Sequence, residues 1–135
     1  MNFLLDTTAV SDLMREHSRV MQHMAETAVL DRVVTCSIVR GEVLFGIERL
    51  PQGKRQARLA DRAMQLLSAI SCEAVPEDAG DHYARIKIAS QRKGLVLDEN
   101  DLWIAATALS LAGTLVSRDS DFWRVDGLNV ADWTQ

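Results

Sequence analysis

The sequence predicts an α/β fold, in which a central, mainly parallel twisted sheet is flanked by helices as a three-layer sandwich. Candidate strands alternate with candidate helices, the strands are short and continuously apolar, and no repeat, linker or low-complexity tract divides the 135 residues. Strands of a parallel sheet have this continuous apolar character because helices cover both faces of the sheet. The length and the apolar fraction of 47% indicate a single domain over residues 1–135.

The first half of the chain contains two predicted strands and four predicted helices. Its strands are apolar or β-branched runs, and apolar residues three or four positions apart indicate the helices. Ser18 and Ser37 are the expected N-caps of the second and third helices, because a serine hydroxyl accepts a hydrogen bond from a first-turn amide. In chain order, the predicted elements are the strand 2–5, the helices 8–16 and 18–30, the strand 32–35, and the helices 37–50 and 54–70.

The second half continues the alternation. Gly94 and Gly113 are the expected ends of its two helices, since glycine readily adopts the conformations that close a helix. The predicted elements are a short strand at 73–75, the helices 77–93 and 101–112, the strand 114–117, and a short last strand at 128–130.

The charge balance and the first residues exclude several classes of protein. Fifteen basic against nineteen acidic residues give a net charge of −4, with neither a polybasic nor an acidic tail. Residues 1–8 lack the basic start and long apolar core of a signal peptide, and the most apolar window, 102–116, is too short to span a membrane. We therefore expect a cytoplasmic protein with no membrane partner.

Two cysteines, Cys36 and Cys72, lie in apolar surroundings. A cytoplasmic protein keeps such thiols reduced, so we expect two small core residues and no disulfide. Neither cysteine belongs to a C-x-x-C pair or a Cys/His cluster, which argues against a structural zinc site.

Acidic residues follow two predicted strands at the points where the strands end. Asp6 comes directly after the strand 2–5, and Asp119 and Asp121 come just after the strand 114–117. Ligands of parallel sheets bind beyond the carboxyl ends of the strands, so these acids are candidates for a site there. Each has a local alternative: Asp6 could cap the following helix, and one of the other two could shape a turn.

Glu42 is a helical candidate for the same edge. It shares an apolar helix face with Ile38 and Phe45, where a carboxylate is costly unless a partner satisfies it. A salt bridge, for example to Arg49, would be a purely structural explanation. A functional site is the interpretation we favour, because ionisable groups in half-buried clefts are often functional.

Asp101 is the second helical candidate, at the start of the predicted helix 101–112. An acid in a first turn is favoured by the helix dipole alone. However, Asp98 and its neighbours already offer capping groups, and Asp101 begins a stripe of small residues that lets the helix lie close to the sheet. That stripe continues through Ala105, Ala108 and Ala112.

Four acids from four elements thus converge on one edge of the predicted sheet. Clustered carboxylates repel one another, and a divalent cation is the natural counter-charge. An all-oxygen ligand set without histidine or cysteine indicates Mg²⁺, or else Mn²⁺. Two other acidic-site proteins fit less well: a haloacid-type phosphatase needs an acid where Thr8 stands, and a receiver domain needs a late lysine, whereas none follows Lys93.

Four motifs stand in the order of a PIN domain, and the chain resembles the VapC-like ribonuclease toxins of toxin–antitoxin pairs. The resemblance covers essentially the whole chain. It implies a PIN-like sandwich with the activity of a metal-dependent endoribonuclease, a cognate antitoxin as partner, an RNA substrate, and a homodimer. The motifs are Leu4–Thr7, Gly41-Glu42 followed by Phe45–Ile47, Asn100–Ala106, and Thr114–Phe122.

The resemblance also assigns roles to individual residues. It implies that an acidic quartet, Asp6, Glu42, Asp101 and Asp119, is catalytic and binds metal, with the attacking water leaving a 5′-phosphate and a 3′-hydroxyl. Asp121 and Asp98 are weaker metal candidates. Asp98 departs from the family pattern, which often has a small residue there, usually glycine. The substrate-binding candidates beside the acids are Thr7, Ser117 and Arg118; Ser117 matches a Ser/Thr often found before the last acid.

RNA contact requires positive charge, because phosphates dominate affinity for nucleic acids. A stripe on the helix 54–70 offers it, although a solvated helix face explains that stripe equally well.

The histidines are expected to be solvated and Trp103 to lie in the core. A competing function is a non-catalytic acidic pocket that binds a basic partner peptide, with the helices 8–16 and 18–30 as a partner face. The stripe residues are Lys54, Arg55, Arg58 and Arg62, and the histidines are His17, His23 and His82.

Overall fold

The computed structural model describes residues 1–135 and contains one five-stranded sheet. Every neighbouring pair of strands is parallel, so the sheet is entirely parallel rather than mainly so. In space the strands follow the order β3-β2-β1-β4-β5. Their bounds are β1 Asn2–Leu5, β2 Arg32–Cys36, β3 Ser71–Glu73, β4 Thr114–Val116 and β5 Asn129–Ala131.

Six α-helices and one short 3₁₀ helix connect the strands. The connection reverses direction at β1: the chain adds β2 and β3 on one side of it, then β4 and β5 on the other. Such a reversal leaves a crevice at the carboxyl ends of the two central strands. The helices are α1 Thr7–Met14, α2 Ser18–Leu30, α3 Ser37–Glu48, α4 Lys54–Ala69, α5 Ala79–Lys93 and α6 Glu99–Ser110, and the 3₁₀ helix spans Ser120–Arg124.

The central strands are buried on both faces, which confirms the three-layer prediction. Successive residues of a strand point to opposite faces of the sheet. Leu4 and Leu5 in β1 are both buried, as are Leu115 and Val116 in β4. Helices therefore cover the sheet on each side, and the core continues through both layers.

Several element ends differ from the prediction because of local capping. Ser18 and Ser37 are the first helical residues rather than the N-caps. The His17 ring caps α2 instead, accepting a hydrogen bond from the amide of Val20, while Cys36 is still extended as the last residue of β2. Three elements are displaced by two residues: α6 begins at 99 rather than 101, α5 at 79 rather than 77, and β3 at 71 rather than 73.

Cys72 is exposed, so the prediction that both cysteines lie in the core is wrong for this residue. It lies on β3, which pairs with β2 on one side only and is therefore an edge strand. Cys36, on the inner strand β2, is fully buried as expected. Both thiols are free, which confirms that they form no disulfide.

The prediction that the histidines are solvated is wrong, since all three are half-buried. His17 is a half-buried cap, and the ring of His23 is stacked on Trp133 at a centroid distance of 5.8 Å. Trp133 is buried, whereas Trp103 is only half-buried and stacks on Tyr83 at 4.1 Å.

None of the helices has the length and apolar character required to span a membrane.

Gly113 lies where the start of β4 passes close to β1. A Cβ atom at this position would lie 2.9 Å from the carbonyl oxygen of Asn2 and 3.2 Å from its Cβ. Since neither atom can move without shifting β1, we expect Gly113→Ala to lower the free energy of unfolding by about 1–3 kcal/mol, as overpacking does. Chemical denaturation measures this. Gly80→Ala in α5, where the added methyl would meet nothing within 4 Å, is the matched control. Equal stability of the two variants would contradict the prediction.

Candidate active site

Asp6 is held firmly at the carboxyl end of β1. Its Oδ1 accepts hydrogen bonds from the amide of Ala9 at 2.8 Å and from the hydroxyl of Thr8 at 2.7 Å, so Asp6 does cap α1. Ser117, beyond β4, lies beside the same carboxylate and favours its charged form. Burial raises the pKa of Asp6 above its ordinary value, while these hydrogen bonds act in the opposite direction. The capping role therefore explains the position of Asp6, but its buried carboxylate has no basic partner at this edge of the sheet.

Glu42 extends from α3 toward the same place. The hydroxyl of Thr7 donates to its Oε1 at 2.6 Å, and the Asn100 side chain donates to its Oε2 at 3.4 Å. The alternative salt bridge to Arg49 does not form; that guanidinium lies over the ring of Phe45 instead, 5.9 Å from its centroid. Glu42 thus links the starts of α1 and α6 through neutral partners only.

Asp101 is the third residue of α6, and its carboxylate forms no hydrogen bond within the chain. Asp98 caps the helix by accepting a hydrogen bond from the Asp101 amide at 2.8 Å, so Asp101 is not needed for that task. Burial, and after it repulsion from neighbouring carboxylates, together raise the pKa of Asp101 to about 7. The neighbours that act on it are Asp98, Glu42, Asp119 and Asp6, in decreasing order. One location therefore brings together all four predicted quartet members and Asp98.

The two acids after β4 differ in position. Asp119 lies near Asp6 and Asp101, and its Oδ1 accepts a hydrogen bond from the Asp121 amide at 3.0 Å, which caps the 3₁₀ helix. Asp121 is exposed and is absent from the carboxylates that raise the pKa of Asp101. The structure therefore brings Asp119 into the acidic cluster and leaves Asp121 outside it.

None of the five clustered acids forms an ion pair. The contrast with Asp12 on α1 is direct: that carboxylate is as buried as that of Asp6 but pairs with both Arg15 and Arg118. Two arginines thus neutralise the buried carboxylate of Asp12. No basic side chain neutralises the acidic cluster, which consists of Asp6, Glu42, Asp98, Asp101 and Asp119. Such a cluster is destabilising unless a cation binds to it.

The donor chemistry of the acidic cluster fits Mg²⁺. No three His, Cys, Asp or Glu side chains are close enough together to bind one ion directly. Mg²⁺ does not require this, because it keeps several of its waters and is usually held by one or two carboxylates. The absence of histidine and cysteine from the cluster argues against softer metals.

The predicted substrate-binding residues have structural partners. The hydroxyl of Thr7 is bonded to Glu42, and the hydroxyl of Ser117 accepts a hydrogen bond from the amide of Asp119 at 3.0 Å, so both residues position acids. The Nε atom of Arg118 donates to Asp12 at 3.0 Å, and its side chain remains 43% exposed. A role of these three residues in RNA binding stays a prediction.

Two features of the site could not be found from local patterns. Asn100 bonds to Glu42 across 58 residues of chain, and its only sequence signal is its place before Asp101. In the basic stripe on α4, Arg62 points back to the protein, donating to the carbonyl of Met14 and pairing with Glu16. Lys54, Arg55 and Arg58 of the same stripe are exposed.

The raised pKa of Asp101 predicts how the stability of the metal-free protein depends on pH. A group whose pKa is higher in the folded state contributes stability at low pH and loses it as the pH rises. For Asp101 the loss falls between its ordinary value of 3.8 and about 7. A full pKa unit corresponds to about 1.4 kcal/mol, and solvent screening of this half-buried group reduces the total to about 1–2 kcal/mol.

The measurement is urea denaturation of wild type and Asp101→Asn in chelator at several pH values. We expect Asp101→Asn to gain stability relative to wild type as the pH rises from 4 to 8, because only the wild type then carries the repelled charge. Titrating groups that do not interact with Asp101 cancel in this difference. A difference that does not change with pH would show that Asp101 is not repelled by its neighbours.

The chain is similar to known proteins in both sequence and structure. Residues 3–128 match the family model described as the PIN domain. Ribonuclease VapC5 of Mycobacterium tuberculosis is 33% identical over 78% of this chain and 78% of its own length. The solved VapBC2 of Rickettsia felis, bound to a DNA fragment from its promoter, has a TM-score of 0.90 at 22% identity, covering 98% of this chain and 99% of that one. VapBC-5 of Mycobacterium tuberculosis, described as a member of the VapBC family of toxin–antitoxin systems, has a TM-score of 0.73 at 26% identity, covering 96% and 95%.

Proposed function

The chain belongs to the PIN domain family, and on that premise we propose that it is a Mg²⁺-dependent endoribonuclease, the toxin of a toxin–antitoxin pair. The observation that carries the proposal is the acidic cluster itself: five carboxylates without one ion pair, at the carboxyl edge of the sheet. The names of the relatives support RNA as the substrate and an antitoxin as the partner. Mn²⁺ could replace Mg²⁺, since both accept oxygen ligands.

In this proposal four acids of the cluster share two tasks. Asp6 and Asp101 hold the ion, and Glu42 and Asp119 orient the waters around it. A bound divalent cation supplies two kinds of chemistry: it lowers the pKa of water and offsets negative charge on the scissile phosphate. Asp101 must be deprotonated for this role, and its pKa of about 7 means that acidic pH opposes metal binding.

Two neutral side chains keep the acids in place. Thr7 donates a hydrogen bond from its hydroxyl to Glu42, and the hydroxyl of Ser117 accepts one from the amide of Asp119, so both acids are held in place without losing their charge. Pre-organised groups of this kind favour catalysis because little rearrangement is needed when charge develops. Water as the nucleophile leaves a 5′-phosphate and a 3′-hydroxyl.

Cleavage of a pool of structured and unstructured RNAs tests the proposal. The purified protein is assayed with Mg²⁺, with Mn²⁺ and with chelator. We expect cleavage with either metal, none with chelator, and 5′-phosphate ends on the products. Products with 2′,3′-cyclic phosphate ends would contradict a water nucleophile. The absence of cleavage with any metal would favour the competing function, an acidic pocket that binds a basic peptide.

The remaining parts of the proposal concern partners and location. We propose a cognate antitoxin that neutralises the cleavage activity, a homodimer in solution, and a cytoplasmic location. Sedimentation of the purified protein tests the dimer. Co-expression with a candidate antitoxin, followed by co-purification and loss of RNA cleavage, tests this partner.

A further inference from the structure

Phe45 is a large apolar side chain exposed beside the acidic cluster. Its ring is 66% exposed, although it lies only one helical turn from Glu42 on α3. The two side chains line the same groove, of about 580 Å³, together with Thr7 and Asn100. A single exposed phenylalanine is common at protein surfaces, so the place of this ring next to the site is what requires an explanation.

Arg49 adds positive charge to the same groove. Its guanidinium lies 5.9 Å from the centroid of the Phe45 ring, and it forms neither an ion pair nor a side-chain hydrogen bond within the chain. Glu42 and Phe45 lie at positions i and i+3 of α3, and Arg49, the residue that caps the end of this helix, follows at i+7 on the same face. An acid, an aromatic ring and an unpaired cation therefore follow one another along the groove.

The remaining lining of the groove is polar. Ile38 and Phe45 are its only two apolar residues of nine, and the side chains of Ser37 and Asn100 offer hydrogen-bonding groups. A groove that binds an amphipathic helix of a partner protein needs a continuous apolar floor, which is missing here. One flat ring among polar groups, with a cation beside it, is instead typical of surfaces that stack a nucleobase.

We propose that this groove binds an unpaired base of the RNA substrate next to the scissile phosphate. The base stacks on Phe45, and Arg49 binds the neighbouring backbone phosphate. Because a base within a duplex is already stacked and paired, the substrate class is single-stranded RNA or an unpaired loop. This inference rests on the proposed nuclease function and specifies the RNA that the site accepts.

The test uses a short oligoadenylate that contains 2-aminopurine, whose fluorescence is quenched when the base stacks. Binding is measured in chelator, where the proposed cleavage cannot proceed. We compare wild type with Phe45→Ala, Phe45→Leu and Phe45→Tyr. Alanine and leucine should weaken binding about 10-fold or more and remove the quenching, whereas tyrosine should retain both, since stacking requires the ring.

Two controls separate stacking from other effects. Leu30→Ala removes a side chain that is 86% exposed at the amino edge of the sheet, and should leave RNA binding unchanged. Arg49→Gln should weaken binding and lower the slope of log affinity against log salt concentration by about one, as the loss of one phosphate contact does. The melting temperatures of Leu30→Ala and Arg49→Gln should match that of wild type, because both of the replaced side chains are exposed.

Each outcome decides the inference. It is overturned if Phe45→Ala or Phe45→Leu binds the oligonucleotide like wild type, if wild type does not quench it, or if a complementary duplex is quenched equally. If Phe45→Leu keeps RNA affinity and Phe45→Ala loses antitoxin binding instead, the ring belongs to a protein interface. Metal-dependent RNA cleavage by wild type is measured in parallel. If wild type cleaves RNA but the Phe45 variants bind the oligonucleotide like wild type, only the base site is contradicted. If wild type binds the base but does not cleave RNA, only the nuclease proposal is contradicted.

Discussion

Asp101→Asn is expected to reduce RNA cleavage about 100-fold or more while leaving the metal-free protein at least as stable as wild type at neutral pH. The loss of activity follows because the variant removes a charge that stabilises the bound ion and, with it, the transition state. The stability follows because the lost carboxylate has no partner and is repelled by four others. Helix capping is unaffected, since Asp98 caps α6 through a backbone amide.

This combination separates a functional acid from a first-turn helix acid. If Asp101 acted only through the helix dipole, its replacement by asparagine would cost about 0.3–1 kcal/mol and would not affect cleavage. Cleavage rates and urea denaturation in chelator are measured on the same preparations. Asp61→Asn, an exposed acid of α4 outside the cluster, is the control for a simple change in net charge. A destabilised but active Asp101→Asn would contradict the account.

Replacement of Asp6 should produce the second large effect, with a different division between activity and stability. Asparagine can accept the same hydrogen bonds from Ala9 and Thr8, because asparagine and aspartate are equally good N-caps. Asp6→Asn should therefore fold with a stability near that of wild type and lose cleavage about 100-fold or more. Asp6→Ala should lose cleavage and also about 1–3 kcal/mol of stability, since buried donors are left without an acceptor.

The pair of variants resolves the two roles of Asp6. Thermal or chemical denaturation reports the cap, and cleavage in Mg²⁺ reports the metal ligand. Full activity in Asp6→Asn would show that Asp6 serves only as a cap. Loss of stability in Asp6→Asn as large as that in Asp6→Ala would show that its charge, rather than its acceptor oxygen, holds the start of α1.

The sheet and its acidic edge could be predicted because their signals are local. Apolar runs reveal strands that are buried on both faces, and an acid directly after such a run, as at Asp6, must lie at the carboxyl edge. Glu42 and Asp101 were found by their helix faces, which depend only on residue spacing. The same reasoning placed Asp119 there but could not separate it from Asp121, since the two are distinguished by the turn of the 3₁₀ helix.

The features that could not be predicted depend on long-range pairing. The hydrogen bond from Arg118 to Asp12, 106 residues away in sequence, has no local signal. Cys72 was expected in the core, yet its exposure depends on the position of β3 at the edge of the sheet. The hydroxyl of Thr7 could be assigned to Glu42 only once α1 and α3 were seen to converge.

Calorimetric titration of Mg²⁺ and Mn²⁺ tests most directly the claim that the acidic cluster is a cation site. The titrations are performed at pH 8, where Asp101 is deprotonated, on wild type, Asp101→Asn and the control Asp61→Asn. We expect saturable binding to wild type and to Asp61→Asn, and binding weakened at least about 10-fold in Asp101→Asn, as loss of a metal ligand or its support produces. Equal affinity in all three proteins, or no binding to wild type, would contradict it.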